Sequence, residues 1–120
     1  MARPRAFDEA TVLAQARALF AQQGYNGTSI DDLVKATGLL RGSLYKAFGS
    51  KRNLFELLFQ EVVLDFKPTQ ENLDLLTVAL KDLAPEDKGI RKQCLAIVGR
   101  ADKEFAEMLG KNLLVKMKEK

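Results

Sequence analysis

The stretch Thr28-Ser29-Ile30-Asp31-Asp32-Leu33-Val34-Lys35-Ala36-Thr37-Gly38-Leu39-Leu40-Arg41-Gly42-Ser43-Leu44-Tyr45-Lys46-Ala47-Phe48-Gly49-Ser50-Lys51 decides how this chain is read. Thr28 with Asp31 three residues on has the pattern of a capping box, and Ile30, Leu33 and Val34 share one helical face, so a short helix is predicted up to about Thr37. Gly38 stops it. A second short helix is predicted over Arg41 to Phe48, with Leu44 and Phe48 one turn apart on its inner side. Gly49 breaks that run, and Ser50 caps whatever begins at Lys51.

Two short helices either side of a glycine, each holding apolar residues toward the other, have helix-turn-helix spacing. The second carries the positive charge. Arg41, Lys46, Lys51 and Arg52 fall between positions 41 and 52 with no acid among them. Such a helix must turn polar groups outward while its apolar residues hold it down, and this one does both. Arg41 can fork onto guanine O6 and N7, Ser43 can donate to a base or a phosphate, and Lys46 can neutralise phosphate or reach guanine. Gly42 permits close backbone approach. The helix opened by Ser50 and Lys51, and the one opened by Thr28 and Ser29, point N–H groups and the positive dipole end toward a phosphate oxygen.

Outward from this stretch the signals stay helical, and no strand pattern occurs. Asp8 caps a first helix predicted to run to Gln23, with Val12, Ala16, Leu19 and Phe20 as its buried stripe. Gly24 then supplies the positive-φ stop, and Tyr25 is placed to pack on Phe20. A fourth helix, Lys51 to about Lys67, is apolar nearly all round, so it is expected to be buried on more than one side and to link the N-terminal unit to the rest. Pro68 ends it and Thr69 caps a fifth helix carrying Leu73, Leu76, Leu80 and Leu83. A last helix is expected from near Asp87, with Ile90, Cys94, Ile97, Ala101, Phe105 and Met108 on one stripe and possible breaks at Gly89, Gly99 and Gly110.

Composition closes several doors. The 120 residues are 47% hydrophobic and 29% charged, which is globular and leaves little room for a cofactor-binding enzyme. Histidine is absent, which removes Ser-His and Cys-His nucleophile pairs and the commonest metal ligand. No catalytic residue, metal site or cofactor is therefore expected. The single cysteine, Cys94, reads as a small buried hydrophobe, and Asp31-Asp32 as helix-dipole partners, not a catalytic pair. No apolar run is long enough to cross a membrane, and Met1-Ala2-Arg3-Pro4-Arg5 lacks the apolar core of a signal peptide, so the chain is expected to be cytoplasmic. Net charge is only +3, with nine basic against seven acidic residues over 1–67 and ten against nine over 68–120, so the positive patch is local.

The run Thr28 to Val34, then Thr37-Gly38-Leu39, Gly42-Ser43-Leu44-Tyr45, Phe48, Ser50-Lys51 and Leu54, resembles the N-terminal domain of TetR-family bacterial transcriptional regulators. The likeness reaches back through Leu19-Phe20 and Gly24-Tyr25 and covers about residues 8–62. It implies an all-α fold: a three-helix DNA-binding domain, a linking fourth helix, and about two further helices forming a dimerisation bundle. On this reading residues 1–50 are the helix-turn-helix domain, and residues 51–120 are the linking helix with a shortened dimerisation and regulatory region. Arg41, Ser43 and Lys46 would face the major groove, Tyr45, Lys51 and Thr28 would touch the DNA backbone, and Arg3 and Arg5 would add an arm. Two positions depart from the family pattern. Leu40 stands where a capping or basic residue is usual, and Val34 where alanine is common.

The function implied is a sequence-specific regulator, a repressor rather than an enzyme, binding double-stranded DNA at an inverted repeat as a homodimer. Residues 68–120 are few for the family's larger ligand-binding domain, so they are expected to form a four-helix dimer interface from the 73/76/80/83 and 90/94/97/101/105 stripes and hardly to enclose a small-molecule effector. The alternative is a shortened paralogue that heterodimerises with a full-length regulator and modulates it.

Overall fold

A computed structural model describes residues 7–100 and 103–118; Arg3, Arg5 and Ala101 lie outside the described residues. Among these the chain is helical throughout: α1 Glu9–Gln23, α2 Ile30–Thr37, α3 Arg41–Phe48, α4 Lys51–Leu64, α5 Gln70–Val78 continuing through a π-helical segment Ala79–Leu83, α6 Lys88–Val98 and α7 Lys103–Lys118.

The starts are set by local chemistry. Asp8 accepts a hydrogen bond from the Ala10 amide, Ser50 from Asn53, Thr69 from Asn72 and Asp87 from Ile90, each satisfying an otherwise unpaired N–H of a first turn. Stops follow the glycines: Gly24 (φ 83°) donates to the Phe20 carbonyl and Gly38 (φ 75°) to that of Val34, conformations that a side chain would strain. Two boundaries differ from the sequence expectation. The box at α2 is Ser29 with Asp32, reciprocal through side chain and backbone, one residue later than Thr28 with Asp31, because the Thr28 hydroxyl is turned inward to the Gly24 carbonyl at 2.6 Å. And α4 stops at Leu64, short of Lys67; Pro68 disfavours helix in the residue before it, and Phe66 leaves the helix to meet Phe105 edge-on at 5.2 Å.

One core spans the molecule from Val12 to Ile97. At its centre Phe55 of α4 lies edge-on to Phe20 at 5.3 Å and to Tyr25 at 5.5 Å, and stacks on Phe59 at 5.6 Å. Helix α1 packs on α2, α4 and α5, while α6 closes against α4 and the π-helical segment.

The C-terminal half differs most from expectation. The last helix is two helices: α6 ends at Gly99, where the Arg100 guanidinium donates to the carbonyls of Ala96 and Val63, and α7 returns along α5. Met108, expected on the buried stripe, is exposed. Leu73, Leu76, Leu83, Ile90, Cys94 and Ile97 of the expected interface stripes are buried within the single chain, while Leu80 and Phe105 are half-buried. Apolar exposure lies elsewhere, at Leu95 and Val98 of α6 and Leu114, Val115 and Met117 of α7.

Candidate nucleic-acid interface

Helix α3 is held from beneath by Leu44 and Phe48, both buried, with Ile30 and Leu33 of α2 and Leu54 of α4 around them. That anchorage leaves Arg41, Gly42, Tyr45 and Lys46 exposed, with Ser43 half-buried beside them. The first turn of α3 has no side-chain cap, because Leu40 carries no acceptor, and it contains no acid. Its N–H groups and dipole end therefore face solvent beside a guanidinium and next to a leucine side chain that is 76% exposed.

Arg41 is paired in the DNA-free chain, its guanidinium on the Asp31 carboxylate of α2. The sequence assigns Asp31 to a capping box with Thr28 and to the helix dipole; ten positions separate it from Arg41, and the turn at Gly38 brings the two together. Both groups are mostly exposed, so the pair is weak and exchangeable. Ser29 is exposed at the start of α2, its hydroxyl accepting from the Asp32 amide, while Asp32 accepts from Ser29 N–H and from Gln23; these bonds hold the Asp32 carboxyl below its ordinary range.

Two residues expected at the DNA backbone make bonds within the chain. Thr28 is 1% exposed, with its hydroxyl donating to the Gly24 carbonyl. Lys51 is half-buried, its ammonium donating to the carbonyls of Tyr25 and Thr28 at 3.1 Å each and lying 4.2 Å from the centre of the Tyr25 ring. Burial lowers its pKa, with the nearby Asp82 charge opposing. Ser29, Arg41, Gly42, Ser43, Tyr45 and Lys46 keep at least partial access to solvent, and so does Lys51.

The remaining chemistry is sparse. Among the described residues no cluster of His, Cys, Asp and Glu is placed to hold a metal ion, and no helix is long and apolar enough to cross a membrane. Away from α3, an apolar groove of about 320 Å³ runs between α5, α6 and α7, lined by Leu80, Val98, Phe105, Leu109 and Leu113. That volume is at the lower end of what small ligands occupy.

A short helix with a basic, polar outer face, locked across a glycine turn to a capped partner helix and seated on a third, defines a helix-turn-helix domain of the kind that carries a helix into the major groove of DNA. Residues 12–58 match the family model described as bacterial regulatory proteins, tetR family, and this part of the chain is a TetR-family domain.

Similar proteins include an uncharacterized HTH-type transcriptional regulator, YezE, of Bacillus subtilis, 47% identical over 55 residues (46% of this chain, 28% of that protein). The HTH-type transcriptional repressor ComR of Escherichia coli is 39% identical over 69 residues (58% and 33%). The HTH-type transcriptional repressor BdcR of Escherichia coli is 26% identical over 105 residues (88% and 48%). The chain thus spans less than half the length of each of these relatives. No solved structure matches it.

Proposed function

We propose that this protein is a sequence-specific DNA-binding transcriptional regulator, acting as a repressor on an inverted repeat that two copies of the chain read together. The observation that carries this reading is the outer face of α3: Arg41, Gly42, Tyr45 and Lys46 exposed on a helix whose other face is anchored by Leu44 and Phe48, within a TetR-family domain. Arg41 reads a guanine after leaving Asp31, Lys46 and Tyr45 engage phosphates, and Leu40 offers its apolar side chain to a thymine methyl. The relatives named as repressors support the regulatory role. The two copies meet through the exposed apolar side chains of α6 and α7, since the inner stripes are already covered.

The test is selection of bound sequences from random duplex DNA, with the mass of the complex recorded. An enriched inverted repeat bound by two chains supports the proposal, and Arg41→Ala should weaken that site by about 10- to 100-fold, the worth of one bidentate base contact. Binding that ignores both sequence and salt concentration overturns it. A chain that is monomeric alone yet binds DNA only together with a longer relative replaces the homodimer with a heterodimer.

A further inference from the structure

The exposed face of α3 does not explain one buried acid. Asp82 sits in the π-helical segment that continues α5, with its side chain 9% exposed, and it faces the turn joining α1 to α2, 56 positions away in sequence at Asn26. Its Oδ2 accepts from the Tyr25 amide at 3.0 Å and from the Asn26 amide at 3.1 Å, two N–H groups of the turn that belong to neither helix. The other oxygen takes the Lys81 ammonium at 3.2 Å.

Two local features permit this approach. The Ala84 amide bonds to the Ala79 carbonyl, five residues back, at 2.8 Å, so the widened turn admits an extra residue while Leu83 and Ala84 stay in the core. At the receiving end is Gly24, where an added Cβ would come within 3.3 Å of Asp82 Oδ2 and where φ is already +83°.

The same turn is held from its opposite polarity. Lys51 of α4 binds the carbonyls of Tyr25 and Thr28 while Asp82 binds the amides of Tyr25 and Asn26, so residues 25–28 are fixed between an acid from the C-terminal half and a base from α4. Ser29, which caps α2, is the next residue, and α2 carries α3.

We propose that Asp82 is a positioning residue for duplex binding: it holds the Tyr25-Asn26 turn so that the start of α2, and α3 with it, keeps one orientation relative to the C-terminal half. The proposal rests on the DNA-binding reading above. Phosphate and base contacts are met only in one register, so a turn that wanders weakens site recognition without removing any group that touches DNA.

The experiment compares Asp82→Ala with Asp82→Asn, whose amide oxygen can still accept from both N–H groups. Binding to the selected duplex is measured against salt well below the melting temperature of each variant, and amide hydrogen exchange is followed at Tyr25 and Asn26. Asp82→Ala should exchange both amides faster and weaken the selected site by about tenfold or more, with an unchanged slope of log K against log salt; Asp82→Asn should stay within about threefold of wild type. A role confined to stability leaves the affinity of the folded Asp82→Ala chain at the wild-type value, and that result overturns the proposal. So does an Asp82→Asn chain that binds as poorly as Asp82→Ala while its amides stay protected. A wild-type chain that binds no duplex overturns the reading beneath it instead, and amide exchange then still decides whether Asp82 holds the turn.

Discussion

Asp87 joins two halves of the fold through one carboxylate, and its loss should be measurable as stability. Arg52 of α4 grips it with two guanidinium bonds, at 2.8 and 2.9 Å, and the same side chain caps α6 through the Ile90 amide at 3.1 Å. The guanidinium bonds first, then the amide, hold its pKa at about 2 against an ordinary 3.8. At ~1.4 kcal/mol per pH unit that lowering corresponds to about 2.4 kcal/mol at neutral pH. Arg52 is about a third exposed and also pairs with Glu56, so screening trims the figure to about 1–2 kcal/mol.

Because the folded-state pKa is depressed, this stability is fully present above the unfolded value of 3.8 and is lost as pH falls through about 2. Roughly half should remain at pH 3 and about a sixth at pH 2. Asp87→Asn keeps a capping oxygen but not the charge, and should melt roughly 4–8 °C below wild type at pH 7. Asp87→Ala should lose about 1 kcal/mol more with the cap. Urea denaturation of wild type and Asp87→Asn at a series of pH values from 7 to 2.5 provides the check. Equal stability at pH 7, or a gap that does not narrow on acidification below pH 4, would refute the argument.

Other consequences are more local. Phe55→Ala removes the ring at the centre of the aromatic cluster and should cost about 3–5 kcal/mol in urea unfolding, whereas Leu57→Ala, on the wet side of α4, should cost under about 1 kcal/mol. The Cys94 thiol, pushed up to about 11 from 9.0 by burial, should alkylate about a hundredfold more slowly in the folded chain at pH 8 than in urea from ionisation alone; equal rates would mean that α6 opens. Replacing individual thymines of the selected site by uracil should weaken wild type at one position per half-site and leave Leu40→Ala indifferent there; no thymine-dependent step in wild type would remove Leu40 from base reading.

What the sequence by itself determined was most of what is decided within about four residues. Asp8, Ser50, Thr69 and Asp87 start their helices, and Gly24, Gly38 and Gly49 end theirs, because caps and positive-φ stops act on the nearest backbone groups. The helix-turn-helix was legible for the same reason, since its outer and inner faces follow from spacing across one glycine. Family resemblance then singled out the outer face of α3 as the one proposed to meet DNA.

Choices between equally good local options needed the tertiary structure. Thr28-Asp31 and Ser29-Asp32 both spell a capping box, and the second prevails because the carbonyl at the end of α1 claims the Thr28 hydroxyl. Lys51 looks like a phosphate ligand in sequence, yet the turn it packs against offers two carbonyls and a ring. The leucine stripe of α5 and the apolar stripe of α6 read as faces waiting for a partner chain, and they fold onto α1 and α4 of their own chain instead. Asp31 with Arg41, and Asp82 with the turn at Tyr25, carry no signal in the sequence, because the groups that give each its role arrive from another helix. An apolar stripe states that a face is to be buried; which surface covers it is settled only when the whole chain competes for that place.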